Sequence, residues 1–489
     1  MALRPRLVVA SAALAVIAAA LLLAVRADSA ISFLRPLLVV TSGAEEEGVL
    51  GVLRAMDGAA YVDPSRIPFA ASYYNWLFFA FFGGIIGAVK TALSLDVAWV
   101  PTIGRFVGLA GAVACGLLGA GVIARVAPGP TAVGRHNRLL AVWLAIGPLV
   151  GWWALSINPE LWATALTEAA VLAVLAGYGR RPLAAVALAG VLAAAAWGFK
   201  QSYVFAPLAL GLFLLIRRDW RALAMLTVVM AAGVMLPLWL GSPDYRAMLL
   251  AFKESEFAVW QFWRNLTNSA PKVMPILVAA AFALPALRDW RRMIADQPLL
   301  LALCGVLACL PVLPASIKVG AAENYYFPLV FFLGLLAARG VARVDGAGWP
   351  LLPSLILASA WLASAVACVV VLAGVAGVAG VGDMDGRYRA QRDCVAGLPA
   401  PMYSIDPYLQ LPWMHGPGPR FVLAYQYLME RARGRVFERG GIGGLVAEGY
   451  FAALVLPRGT APVVDGTALG PDYLLAHPDC AGLAIYLRR

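Results

Sequence analysis

The chain has 489 residues, of which 62% are hydrophobic and 13% charged, with a formal net charge of +11. A soluble globular chain carries about 25% charged residues, so this composition excludes an ordinary soluble domain. The basic excess does not point to nucleic acid, because the arginines and lysines fall in short clusters between apolar runs, as in the cytoplasmic loops of membrane proteins.

Apolar runs of about 15–25 residues match the helix length that crosses ~30 Å of hydrocarbon. Backbone in lipid must satisfy its own polar groups, so the runs are predicted as helices. The first, 7–25, follows Arg4 and Arg6. It is long for a cleavable leader and reads as an uncleaved span with its N-terminus in the cytoplasm. Further spans are predicted at 106–124, 139–156, 161–178, 182–199, 201–216, 222–240, 273–287, 298–313, 325–338 and 350–377, about eleven in all. Basic clusters fall in alternate connections: Arg125, Arg135 and Arg138; Arg180 and Arg181; Arg217, Arg218 and Arg221; Arg288, Arg291 and Arg292; Arg339 and Arg343. The positive-inside rule places these in the cytoplasm. The connections 26–105, 157–160, the turn near Lys200, 241–272, 314–324 and everything after about 378 then face outward. The expected location is the cell (inner) membrane. Segment 73–90 is aromatic and apolar, yet counting it as a crossing would invert every later loop. It lies along the outer interface, re-enters, or has an unrecognised partner crossing; its aromatics favour the interface.

After the transmembrane core of residues 1–378, the composition turns to Pro, Gly, Asp and Arg. Runs beginning at Phe421, Ala453 and Leu483 read as strands, and 423–434 as a helix ended by Gly434. Residues 379–489 are therefore expected to form a small α/β domain outside the membrane, whose role is to bind acceptor or saccharide or merely to cap the core. Of six cysteines, Cys394 and Cys480 alone lie outside apolar runs. Both fall on the expected oxidising side and are predicted to form a disulfide, with two unpaired thiols as the alternative.

The first outward loop carries Glu45, Glu46 and Glu47 just beyond the first span. Adjacent carboxylates near a low-dielectric surface raise one another's pKa, and such a group can serve as general base for an acceptor hydroxyl. The alternative is an acidic turn opening a helix. Three cations, Arg105, Lys200 and Lys318, face outward against the charge bias. Cations near lipid usually have a partner, and acids with cations at outer helix ends suit a lipid phosphate. Snorkelling to headgroups is the simpler account of each taken singly. No phosphate-cradling glycine loop appears. Three histidines without metal spacing imply no cofactor, although the acid triplet could recruit a divalent metal.

These features together resemble the C-type (GT-C) glycosyltransferases that use polyprenyl-phosphate sugars, among them protein O-mannosyltransferases and aminoarabinose transferases. An acidic pair follows the first helix, within Glu45–Glu47. Gly58 to Pro64 supplies a Gly-x-x-Tyr-x-Asp-Pro stretch, and Arg105 opens the next span. Asn158-Pro159-Glu160 is similar to an Arg-Pro-Asp/Glu outer turn with Asn in place of Arg. Gly198-Phe199-Lys200-Gln201 ends a later span, and Lys318 to Tyr326 is similar to an Asn-Tyr-Tyr loop. The resemblance covers residues 1 to about 340 and implies a helical membrane fold with a sugar-transfer site on the outer face. It implies Glu45 or Glu46 as catalytic base and Arg105, Lys200 and Lys318 on the donor phosphate. Tyr61, Asp63, Glu160, Asn324 and Tyr325 would contact substrate. The partners implied are a polyprenyl-phosphate-linked sugar, an acceptor lipid, polysaccharide or protein, and membrane lipids. A flippase of lipid-linked saccharides and a non-catalytic envelope assembly protein are the competing readings.

Overall fold

The computed structural model describes residues 3–31, 44–67, 69, 73–127, 132–250, 257–318, 320–377, 381–406, 409 and 424–489. Among the described residues, fourteen α-helices of eight or more residues run from the N-terminus to the end of the apolar region: α1 (Leu3–Ile31), α2 (Ala44–Met56), α3 (Trp76–Ala92), α4 (Val100–Val126), α5 (Ala132–Ile146), α6 (Glu160–Gly177), α7 (Pro182–Phe199), α8 (Phe205–Ile216), α9 (Trp220–Leu240), α10 (Pro243–Leu250), α11 (Val259–Ala281), α12 (Gln297–Cys309), α13 (Phe327–Gly346) and α14 (Leu351–Gly377).

Among the described residues, eight helical stretches are long and apolar enough to cross a membrane: α1, α4, α6, α7, α9, α12 with its continuation to Ala315, α13 with the turn that opens it at Glu323, and α14. Three further expected spans coincide with α5, α8 and α11, which pack among these. Helices α5 and α8 have only 15 and 12 residues, short of the ~20 that a crossing needs. Helix α11 has 23 residues but carries Arg264, Asn265 and Lys272 and two internal prolines. The eight crossings establish a multi-pass membrane protein. Several helix starts are marked by chemistry already legible in sequence. Asp219 and Asp296 cap α9 and α12, each carboxylate accepting the amide three residues on at 3.1 Å. Arg339 of α13 pairs with Asp296.

The aromatic segment forms α3, whose buried residues Phe78, Phe79, Phe82 and Ile86 do not enter the bundle core. They join a second core with Val49, Leu50, Val52 and Leu53 of α2 and with the C-terminal region. Helix α3 therefore belongs to the same end of the molecule as the first loop.

In the C-terminal region, α15 (Val381–Val395) leads into a four-stranded sheet. Its strands are β1 (Met402–Ser404), β2 (Ala453–Pro457), β6 (Leu483–Arg488) and β5 (Tyr473–Cys480), in that spatial order. Strand β1 is parallel to β2; the other pairs are antiparallel, with Val455 opposite Ile485 and Leu475 opposite Tyr486. A two-stranded ribbon of β3 (Val463–Val464) and β4 (Thr467–Ala468) and helices α16 (Ala424–Ala432) and α17 (Gly441–Ala447) complete it. Gly434, with φ +80, follows α16. The expected strand at 421–423 lies outside the described residues. A Cys394–Cys480 disulfide ties the end of α15 to β5, with Cα atoms 5.9 Å apart. The sheet's buried side chains share their core with α2 and α3.

Candidate functional site

Helix α2 opens with the acid triplet and passes close beneath the turn at 156–158. A Cβ on Gly48 would stand 2.1 Å from the Ile157 carbonyl oxygen, and one on Gly108 of α4 would stand 2.5 Å from that of Ser156. Only glycine permits these backbone approaches. They fix where the acids lie relative to α4 and α6.

Residues two apart on a helix project about 200° apart, so Glu45 and Glu47 cannot serve one site together. Glu45 accepts from Arg105 Nε at 2.9 Å and from Nη2 at 2.8 Å, a two-pronged pair that is 0% and 2% exposed. Glu45, expected with Glu46 as a candidate base, and Arg105, an expected phosphate ligand, are thus each held by the other, away from water. The side chain of Glu46 lies outside the described residues.

Glu47 is half-buried and turned to a different set of groups. Its Oε1 accepts the Tyr73 peptide N–H at 2.6 Å. Burial pushes its pKa up to about 7, against the Tyr73 hydrogen bond and the charges of Lys200 and Lys318, which hold it down, while Glu160 raises it. The group is poised near neutrality, as a general base should be.

Lys200 follows the last residue of α7 and pairs with Glu160 at the start of α6. Burial disfavours its charge, but Glu160, Tyr325 and Glu47 together outweigh this and leave its pKa raised. Asn324 Nδ2 donates to the same Glu160 oxygen at 2.5 Å. Lys200 Nζ lies 5.3 Å from the Tyr325 ring centroid and 5.8 Å from that of Tyr74. Tyr74 donates to Asn158 Oδ1 at 3.2 Å, and Asn158 in turn to Ser156 Oγ at 2.5 Å. Glu160 Oε2, Asn324 Oδ1 and Gln201 Oε1 are buried acceptors with no hydrogen-bond partner among the described residues.

The structure thus gathers Glu160, Lys200, Asn324 and Tyr325 into one cluster, with Glu47 and Lys318 within its electrostatic reach. Two expected substrate contacts stand elsewhere. Asp63 Oδ1 accepts the Ser65 amide and hydroxyl at 2.9 and 2.6 Å, a turn-forming role that holds its pKa low. Tyr61 donates to the Tyr74 carbonyl at 2.9 Å and stacks on Phe79 and Tyr245. Tyr73, Tyr74 and Gln201 were not singled out from sequence as site residues. For Gln201 the signal was present, since it adjoins Lys200 in the motif. For Tyr73 it was not, because its contribution to Glu47 comes from the backbone.

Among the described residues no group of three or more His, Cys, Asp or Glu side chains could hold a metal ion. No family model matches the chain, and no curated protein matches it. Among solved structures it is similar to ArnT from Cupriavidus metallidurans in the apo state, with a TM-score of 0.53 and 16% identity over 96% of this chain and 97% of that one. The oligosaccharyltransferase of Archaeoglobus fulgidus, in complex with Zn and sulfate, is similar with a TM-score of 0.46 and 14% identity, over 96% of this chain and 73% of that one. The first likeness extends over nearly both whole chains and establishes an ArnT-like fold.

Proposed function

We propose that this chain is a membrane glycosyltransferase that moves a sugar from a polyprenyl-phosphate donor to a lipid, polysaccharide or protein acceptor on the outer face of the cell membrane. The observation that carries the reading is one juxtaposition. A half-buried carboxylate poised near neutrality, Glu47, lies within the field of Lys200 and Lys318 at the end of a transmembrane bundle. A lipid-linked phosphate brings negative charge to this level of the membrane, and two lysines there stabilise the charge that grows on it as it departs.

In this reading the acceptor hydroxyl gives its proton to Glu47 Oε2 or Oε1 as its oxygen attacks the anomeric carbon. The bond from that carbon to the phosphate oxygen breaks in the same step, and polyprenyl phosphate leaves with the electron pair. A single displacement of this kind inverts the anomeric configuration. Glu160 keeps Lys200 oriented, and the partnerless acceptors of Glu160, Asn324 and Gln201 suit hydroxyl donors on a sugar better than phosphate oxygens, which only accept. Glu45 and Arg105 fix α2 to α4. Residues 1–378 supply the bundle and first loop, and 379–489 the outer domain.

The test is incubation of purified protein with a labelled polyprenyl-phosphate sugar and candidate acceptors. Release of free polyprenyl phosphate supports the enzyme. Movement of the intact donor across a vesicle membrane without cleavage supports a flippase instead.

A further inference from the structure

Tyr73 joins three parts of the molecule through three different atoms. Its peptide N–H donates to Glu47 at 2.6 Å, and its carbonyl accepts from Gln201 Nε2 at 2.6 Å, one residue from Lys200. Its hydroxyl donates to Glu430 of α16, 357 residues later in the chain. Glu430 is itself buried and fixed, by Arg433 Nη1 at 2.8 Å and Arg435 Nε at 2.6 Å. The Arg433 guanidinium also lies 5.8 Å from the Tyr73 ring centroid, and Arg435 reaches to 3.9 Å from Asp63. A tyrosine anchored at its ring tip and on both sides of its backbone cannot shift at one end without disturbing the other.

We propose that Glu430 of the C-terminal region is a positioning residue for the transfer reaction, holding the Tyr73 hydroxyl so that the Tyr73 peptide keeps Glu47 and Gln201 in place. The inference rests on the reading of Glu47 as catalytic base. It gives the C-terminal sheet domain a part in the chemistry beyond covering the bundle. The domain's other contacts with the first loop bypass Tyr73: Glu438 accepts the Ile67 amide at 2.9 Å, and Phe437 and Tyr427 pack on Phe69. The charged and titratable groups acting on Glu47 are Lys200, Lys318 and Glu160, together with the hydroxyls of Tyr61, Tyr73 and Tyr74. Among the described residues the Tyr73 amide makes the one direct hydrogen bond to its carboxylate.

The experiment uses full-length protein in nanodiscs and a hydrophobic carbodiimide, which modifies carboxyl groups in their protonated form. Mass mapping then gives the pH at which Glu47 is half-labelled, a readout that needs no knowledge of the substrate. In the wild type this midpoint is expected at about 7. In Tyr73→Phe and in Glu430→Leu it is expected to rise by about half a unit to one unit, because the hydrogen bond to the charged form is loosened. Glu430→Gln keeps an acceptor for the hydroxyl and is expected to stay near the wild-type value, as is Glu438→Gln. Unchanged midpoints in both Tyr73→Phe and Glu430→Leu overturn the proposal, as does an equal rise in Glu438→Gln, which would assign the effect to domain docking in general. If Glu430→Leu does not fold, Tyr73→Phe decides, since it removes one oxygen atom. A shifted midpoint in protein that transfers no sugar would sustain the positioning and reject the catalytic reading.

Discussion

Replacing Glu47 by Gln, with Glu45 left in place, separates two carboxylates that one helix directs to different neighbours. Loss of a general base lowers turnover by about 10²–10⁴-fold. The wild-type profile carries its own signature. The working form is the carboxylate, whose pKa burial lifts to about 7. Turnover should therefore rise with pH, falling about tenfold for each unit below roughly 6 and levelling above roughly 8. The stability sign is opposite. In the unfolded chain the group titrates near an ordinary carboxylate value, so the folded state holds an extra proton between that value and about 7. Stability is thus lost as pH rises through this window, and above it Glu47→Gln should be no less stable than the wild type. Glu45→Gln should behave in the reverse manner. It removes one partner of a buried pair, which typically costs about 3–5 kcal/mol, and any loss of turnover should follow the loss of folded protein. The assay is release of polyprenyl phosphate across pH 5 to 9, beside thermal unfolding of each variant in the same detergent. Full turnover in Glu47→Gln, or an acidic limb centred near pH 4.5 in the wild type, would refute the assignment.

Arg105→Met should destabilise as Glu45→Gln does, and the double variant Glu45→Gln/Arg105→Met should cost less than the two single losses added, read by unfolding midpoints in a mutant cycle. Lys318→Met should weaken donor binding with little change in stability, whereas Lys200→Met should do both, because it strands Glu160; titration with a polyprenyl-phosphate analogue beside thermal unfolding separates them. Gly48→Ala forces a methyl group to within 2.1 Å of a carbonyl oxygen and should destabilise by about 1–3 kcal/mol; wild-type unfolding and activity would contradict this close packing. Cys394→Ser should lower the stability of the C-terminal region by up to about 4–5 kcal/mol, since the bridge closes a separation of 86 residues. Non-reducing mass mapping that finds both thiols free in intact cells would remove the basis for that prediction.

The helices were legible because lipid allows few alternatives. Apolar runs of spanning length mark the eight candidate crossings, whereas the runs at α5, α8 and α11 read as crossings in sequence but are too short or too polar to be among them. Strands β2 and β6 were visible as apolar runs, but β5 was not. Its sequence, Tyr473 to Cys480, contains His477, Pro478 and Asp479 and forms an exposed edge, where burial writes no pattern. At the site, motif order pointed to Glu160, Lys200, Asn324 and Tyr325, which do converge. It could not choose within the triplet, because that choice depends on which face of α2 meets Arg105, a tertiary fact. Asp63 and Tyr61 lie in a stretch with the right spacing, yet their hydrogen bonds go to Ser65 and Tyr74 of the same loop. A backbone donor such as the Tyr73 amide leaves no trace in residue identity at all.

The core shared by the first loop and the C-terminal sheet has a consequence for how the chain is made. Ile67 and Glu438 meet across 371 residues. At about 5–20 residues per second, the Ile67 amide and the Phe69 ring wait for tens of seconds at the membrane surface before Tyr427, Phe437 and Glu438 arrive to meet them. During that interval Tyr73 has no Glu430 to hold it. Every nascent chain therefore passes through a period in which its apolar helices are made while its first loop is still without the C-terminal region, and a premature stop late in the message would release a protein arrested in that state.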